Sequence, residues 1–311
     1  MNDKIICSKC GQENPINYTS CLNCNNRLKN SSYYEYDYKD FYELFSEENK
    51  TILEHAKLTD TAYDTIINSI IEIGSENIHK IPEIINTPTL LTILKPYVHV
   101  SYDETGGHPD YLSYYSFNNI FLNRDIPEAL KNSALLHEFA HHLCNEIVKQ
   151  TIMHLLNHEK NLTIESFAWY LTLQNNYLKI ANEFVAHRVQ EYFLPDTFGG
   201  YTSLIKLIEE NKDNLDNEKI ETAIIFGNSL TEDVIFIIEQ FVLRQSSFPE
   251  STTSHEIFGY DIPHIKLENK LKSVYTLIFE TFNYIYNNKV GMIDLLYDLD
   301  KNYIEFNYTY P

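Results

Sequence analysis

The sequence predicts an α+β protein, predominantly helical, with a small antiparallel sheet beside a helix carrying His-Glu-x-x-His and a cysteine module at the N-terminus. Three observations predict it. Two Cys-x-x-Cys pairs lie within the first 24 residues. A stretch at 97–123 alternates in β-type residues around a glycine-bearing turn sequence, and apolar residues recur at helical spacing on both sides of it. The 311 residues, 43% of them hydrophobic, suffice for one substantial domain and a small module.

In CSKCGQENPINYTSCLNC, residues 7–24, Cys7, Cys10, Cys21 and Cys24 form two knuckles, with Gly11 suited to the tight turn after the first. Four thiolates make a closed tetrahedral shell for zinc, which leaves no position open for water. The expected role of that ion is structural, because the module is too small to fold on its own core. The segment resembles the short zinc ribbons found at the start of many bacterial proteins, including Gly11, Asn14 and Pro15, though Asn25 stands where glycine is usual. That resemblance implies a structural or docking role, with a protein partner for the ribbon. Residues 1–30 are assigned to this module.

Residues 31–46, SSYYEYDYKDFYELFS, read as a linker that docks on the main domain. That domain is placed at 47–311, with a central part at about 97–195 and a helical extension at about 196–311. Ile66, Ile67, Ile70 and Ile71 give the first helical region one apolar face. YVHVSY and YLSYYSFNNIFLN, joined by ETGGHPD, predict the antiparallel sheet. Asp125-x-x-Glu128 with Pro127 then predicts a capped helix start, and the helix should run to about residue 149. Most of 163–300 reads as helix, with breaks near Pro195–Gly200 and Ser246–Pro263, and a final strand is predicted at the C-terminus.

The central helix carries His137-Glu138-Phe139-Ala140-His141. Histidines four apart share one helix face, so both imidazoles can hold one zinc ion. Glu138, about 100° around the helix from His137, is placed to act as general base toward a zinc-activated water. His142 points off the ligand face, and Cys144 lies too far along the axis to share the ion. A catalytic zinc needs a third protein ligand and one open position. The metzincin pattern is excluded, because Cys144 and Ile147 stand where its glycine and third histidine belong. Downstream carboxylates are Glu146, Glu159, Glu165 and Glu183. Glu183 is favoured, with Ala186 permitting a close helix approach and His187 one turn on, able to hydrogen-bond a ligand; Glu165 remains an alternative.

NNIFLN, the helix with LLHEFAHHL and the later Glu183-x-x-Ala186 ending near Pro195 together resemble the ImmA/IrrE-type zinc metallopeptidases of the gluzincin group. The matching residues are Leu122, Asn123, His137, Glu138, His141, Glu183, Ala186 and Pro195, across roughly 97–195. His187 replaces the family's usual Asn or Asp, no helix-turn-helix is evident, and the region after Pro195 has no counterpart. The resemblance implies a peptidase of protein or peptide substrates, with an extended peptide paired to an edge strand; the strand around Tyr114–Leu122 is the candidate. Two zinc ions are expected, one catalytic and one structural. His255, Tyr260 and His264 are candidates to donate to an oxyanion.

Two other classes fit the same residues less well. A scaffold that keeps the zinc without turnover would have no need of Glu138. A zinc-ribbon transcription factor fits poorly with a net charge of -20, since an acidic surface repels phosphates, and nucleic acid is not an expected partner. No apolar run reaches about 18 residues, so no membrane span is expected. The start, MNDKIICSKC, does not read as a signal peptide, and paired cysteines without one place the chain in a reducing cytoplasm.

Overall fold

The computed structural model describes residues 4–7, 10–15, 23–24, 39–74, 81–103, 112–173, 175–195, 200–240, 247–248 and 270–288. The predicted C-terminal strand, Cys21 and the segment with His255, Tyr260 and His264 lie outside these residues. The fold is mostly helical with a small three-stranded sheet. Strands β1 (Lys4–Ile6) and β2 (Glu13–Pro15) pair antiparallel in the cysteine module.

Helix α1 (Lys39–Leu44) falls inside the segment read as a linker. The end of that segment docks: Phe41 and Phe45 are fully buried, and Phe45 meets Phe167 edge-on at 5.2 Å. Helices α2 (Glu47–His55), α3 (Asp60–Glu72) and α4 (Thr87–Leu94) start at Ser46, Thr59 and Asn86, whose side chains accept the exposed N–H groups of the first turn. Ile66, Ile67 and Ile70 of α3 are buried, as their spacing predicts.

The sheet is mixed rather than antiparallel. Its order is β3 (His99–Asp103), β5 (Asn119–Asn123), β4 (Ser113–Ser116), with β3 parallel and β4 antiparallel to β5. The hairpin turn is Phe117–Asn118, both at positive φ (44° and 64°), the two-residue arrangement whose twist matches the flanking strands. Asn tolerates this conformation. Phe117 is held there by stacking on Trp169, ring centroids 4.2 Å apart. β5 takes the centre because it pairs with β4 through the hairpin and with β3 on its other side, which leaves β4 at an edge among the described residues. The predicted peptide-binding strand Tyr114–Leu122 therefore divides into an edge strand, a turn and a central strand.

Helix α5 (Glu128–Leu156) is the central element. It begins two residues later than the capping box predicts, with Pro127 rather than Asp125 at the N-cap. Pro127 disfavours helical geometry at Ile126, no side chain caps the first turn, and Asp125 donates its N–H to Asn123 Oδ1 rather than to Glu128 as the capping box would have it. It runs past residue 149 because Thr151, Ile152, Leu155 and Leu156 continue the buried surface, and Asn157 in the left-handed conformation ends it.

Helices α6 (Leu162–Leu173) and α7 (Asn176–Phe193) pack on α5. From the extension come α8 (Thr202–Asn211), α9 (Asn217–Ile238) and α10 (Lys270–Asn287). Helices α7 and α9 approach closely at Gly227, where an added Cβ would lie 2.7 Å from the Ala181 carbonyl oxygen. That contact seats α7 two residues before Glu183. The extension thus shares one core with the central part: Val234, Ile278 and Phe282 lie in the cluster that holds Leu135 and Phe139. Among the described residues no helix is long and apolar enough to cross a membrane.

Candidate metal centre

Helix α5 presents His137 and His141 on one face, and α7 packs across it with Glu183 opposite. Glu183 Oε1 lies 3.4 Å from His137 Nε2, and Glu183 Oε2 lies 3.4 Å from His141 Nε2. One donor atom from each residue falls within 4.8 Å of the other two. For ligand distances of roughly 2.0–2.1 Å, neighbouring donors of a tetrahedral shell sit about 3.4 Å apart. Each oxygen of the carboxylate thus meets one imidazole at that spacing, and with one donor from each residue the trio can hold an ion with one position left over. The three side chains are mostly buried yet not sealed, at 12%, 9% and 17% exposure.

Electrostatics match this geometry. Burial alone would lower His137, but the Glu183 carboxylate outweighs it and holds the imidazole up at about 9. Glu183 is likewise opposed by burial and held well below the usual carboxylate range by His137, with His141 and His187 adding to the effect. A pocket that favours an anion beside two imidazoles is also one that favours a divalent cation in place of the proton.

Orienting groups surround the trio. His137 Nδ1 pairs with Gln190 Oε1 at 3.3 Å, and the Gln190 amide donates to Ser133. This fixes the ring so that Nε2 faces Glu183. His187 Nε2 is 3.5 Å from Glu183 Oε1, so it contacts a member of the trio without joining it. Burial, with help from the cationic His137, pushes His187 down to about 3, so it is neutral. Glu183, His187 and Gln190 follow one another at i, i+4 and i+7. That polar stripe on a largely buried helix was the available signal for Gln190.

Glu138 is buried, and its Oε1 accepts from Ser113 Oγ of β4 at 2.7 Å. Two positions along the strand, Tyr115 OH pairs with His142 Nδ1 at 3.3 Å. Strand alternation and the helical i, i+4 step thus tie edge strand β4 to α5 at two points. His142 is buried at 2% exposure and lowered to about 4, chiefly by burial. Cys144 is buried at 1%, its thiol raised by burial, as a small core residue.

Glu165 is elsewhere. It lies 2.7 Å from Lys160 and 3.8 Å from Lys149, and Lys149 also pairs with Glu146. This charge cluster accounts for two of the alternative carboxylates.

In the N-terminal module, Cys7, Cys10 and Cys24 converge, and Cys7 Sγ lies 3.6 Å from Cys24 Sγ. That is far beyond a disulfide and close to the about 3.8 Å between sulfurs of a tetrahedral zinc shell. Gly11 takes φ 73° and donates its N–H to the Cys7 carbonyl at 2.8 Å, forming the knuckle turn. No family model, curated protein or solved structure matches this chain. The likeness to the ImmA/IrrE-type peptidases rests on the motif residues alone.

Proposed function

We propose that the chain is a zinc metallopeptidase, with a catalytic zinc held by His137, His141 and Glu183 and a structural zinc in the cysteine module. The observation that carries the reading is the approach of one carboxylate to two imidazoles, 3.4 Å from each, beside a buried glutamate. Two nitrogens, one oxygen and a fourth position left over form the donor set of a hydrolytic zinc rather than a structural one. When bound, the ion supplies Lewis acidity toward a carbonyl and a water made acidic near neutrality.

The chain's own residues do the rest. Ser113 occupies Oε1 of Glu138, which leaves Oε2 to take the proton of the attacking water. As the water oxygen bonds to the carbonyl carbon and the C–N bond breaks, the same carboxyl returns that proton to the leaving nitrogen. Strand β4 lies at the sheet edge and is joined to Glu138, so an extended peptide added there by main-chain pairing would pass beside the base.

The test is hydrolysis. Zinc-loaded protein should cleave unfolded casein, and a chelator should abolish cleavage until zinc is restored. Cleavage unaffected by chelation, or none from protein carrying two zinc ions, would count against the reading.

A further inference from the structure

Helix α8 begins beside the metal centre, although nothing in its sequence marks it as part of one. Tyr201 and Leu204 are buried in a small second core with Ile180 and Phe184 of α7, and Tyr201 stacks on Phe184 with ring centroids 6.1 Å apart. This packing brings Ser203 to the end of Glu183. The Ser203 hydroxyl donates to Glu183 Oε1, and Ser203 Oγ lies 2.6 Å from His187 Nε2. A hydroxyl has one proton to give, and here it goes to the carboxylate, so His187 Nε2–H must be the donor to Ser203 Oγ.

We propose that Ser203, backed by His187, is a positioning residue that holds Oε1 of Glu183 and thereby presents Oε2 as the single metal-binding oxygen. The inference rests on the reading of His137, His141 and Glu183 as a zinc site. A carboxylate free to rotate can take the ion through both oxygens and fill the position a water needs. One tethered by a hydrogen bond at Oε1 offers one oxygen in a fixed direction. His187 stands on α7 one turn after Glu183, and Ser203 reaches both from α8. Ser203 is itself exposed, so its replacement removes the tether without opening the core.

The test is zinc affinity, read by competition with a chelator on the full chain, following the zinc equivalent that His137→Ala abolishes. Ser203→Ala should weaken that equivalent by about 10–100-fold, the scale of losing a residue that orients a ligand. Ser203→Thr, which keeps the hydroxyl, should bind within a few-fold of the parent chain. Because the two residues act in series, Ser203→Ala combined with His187→Ala should lose no more than the larger single effect. Unchanged affinity in Ser203→Ala, or equal losses in the Ala and Thr variants, would overturn the proposal while leaving the metal site standing. If His137→Ala retains both zinc equivalents, the metal site and the proposal fall together.

Discussion

Glu183→Ala is expected to weaken the zinc proposed at His137, His141 and Glu183 by about 10²–10³-fold, since zinc binding of roughly 10–16 kcal/mol shared among four ligands amounts to about 2.5–4 kcal/mol each. Two imidazoles remain, too few for a stable catalytic shell. The histidines also lose the carboxylate that holds His137 up at about 9. Activity should return only in part when excess zinc is supplied. Glu165→Ala is the control, because Glu165 belongs to the lysine cluster. It should lower stability, by leaving Lys149 with Glu146 alone, and should leave zinc content unchanged. Zinc retained in Glu183→Ala and lost in Glu165→Ala would reverse the assignment.

Glu138→Gln is expected to lower turnover by about 10²-fold or more with zinc content near that of the parent chain. The amide preserves shape and can still accept the Ser113 hydroxyl proton through its oxygen, so β4 should keep its tie to α5. What it cannot do is take a proton from water. The effect should fall on kcat rather than KM, because the base acts in the transition state. Equal turnover in the variant would remove the hydrolytic mechanism and favour a scaffold that holds zinc without chemistry.

The centre was legible in the sequence wherever local geometry determines placement. His137 and His141 share a face because a helix repeats every 3.6 residues, and Glu183 with Ala186 and His187 declared a second helix able to approach closely. The parts set by tertiary contacts were not legible. The sheet's sense turned on a hairpin at Phe117–Asn118, whose positive φ at Phe117 depends on Trp169, more than fifty residues away in sequence. The helix start moved because Pro127 constrains Ile126, a rule that competes with the capping box and prevailed here. Ser113 and Ser203 are ordinary serines in sequence. Only the packing of β4 on α5 and of Tyr201 on Phe184 brings their hydroxyls to Glu138 and Glu183.

Anomalous diffraction at the zinc absorption edge, from crystals of the zinc-loaded chain, would locate both ions at once. Two peaks are expected: one among the sulfurs of Cys7, Cys10, Cys21 and Cys24, and one roughly 2.0–2.2 Å from His137 Nε2, His141 Nε2 and a single oxygen of Glu183. A fully loaded chain with no peak between α5 and α7, or with Glu183 turned away from the ion, would rule out the proposed catalytic centre.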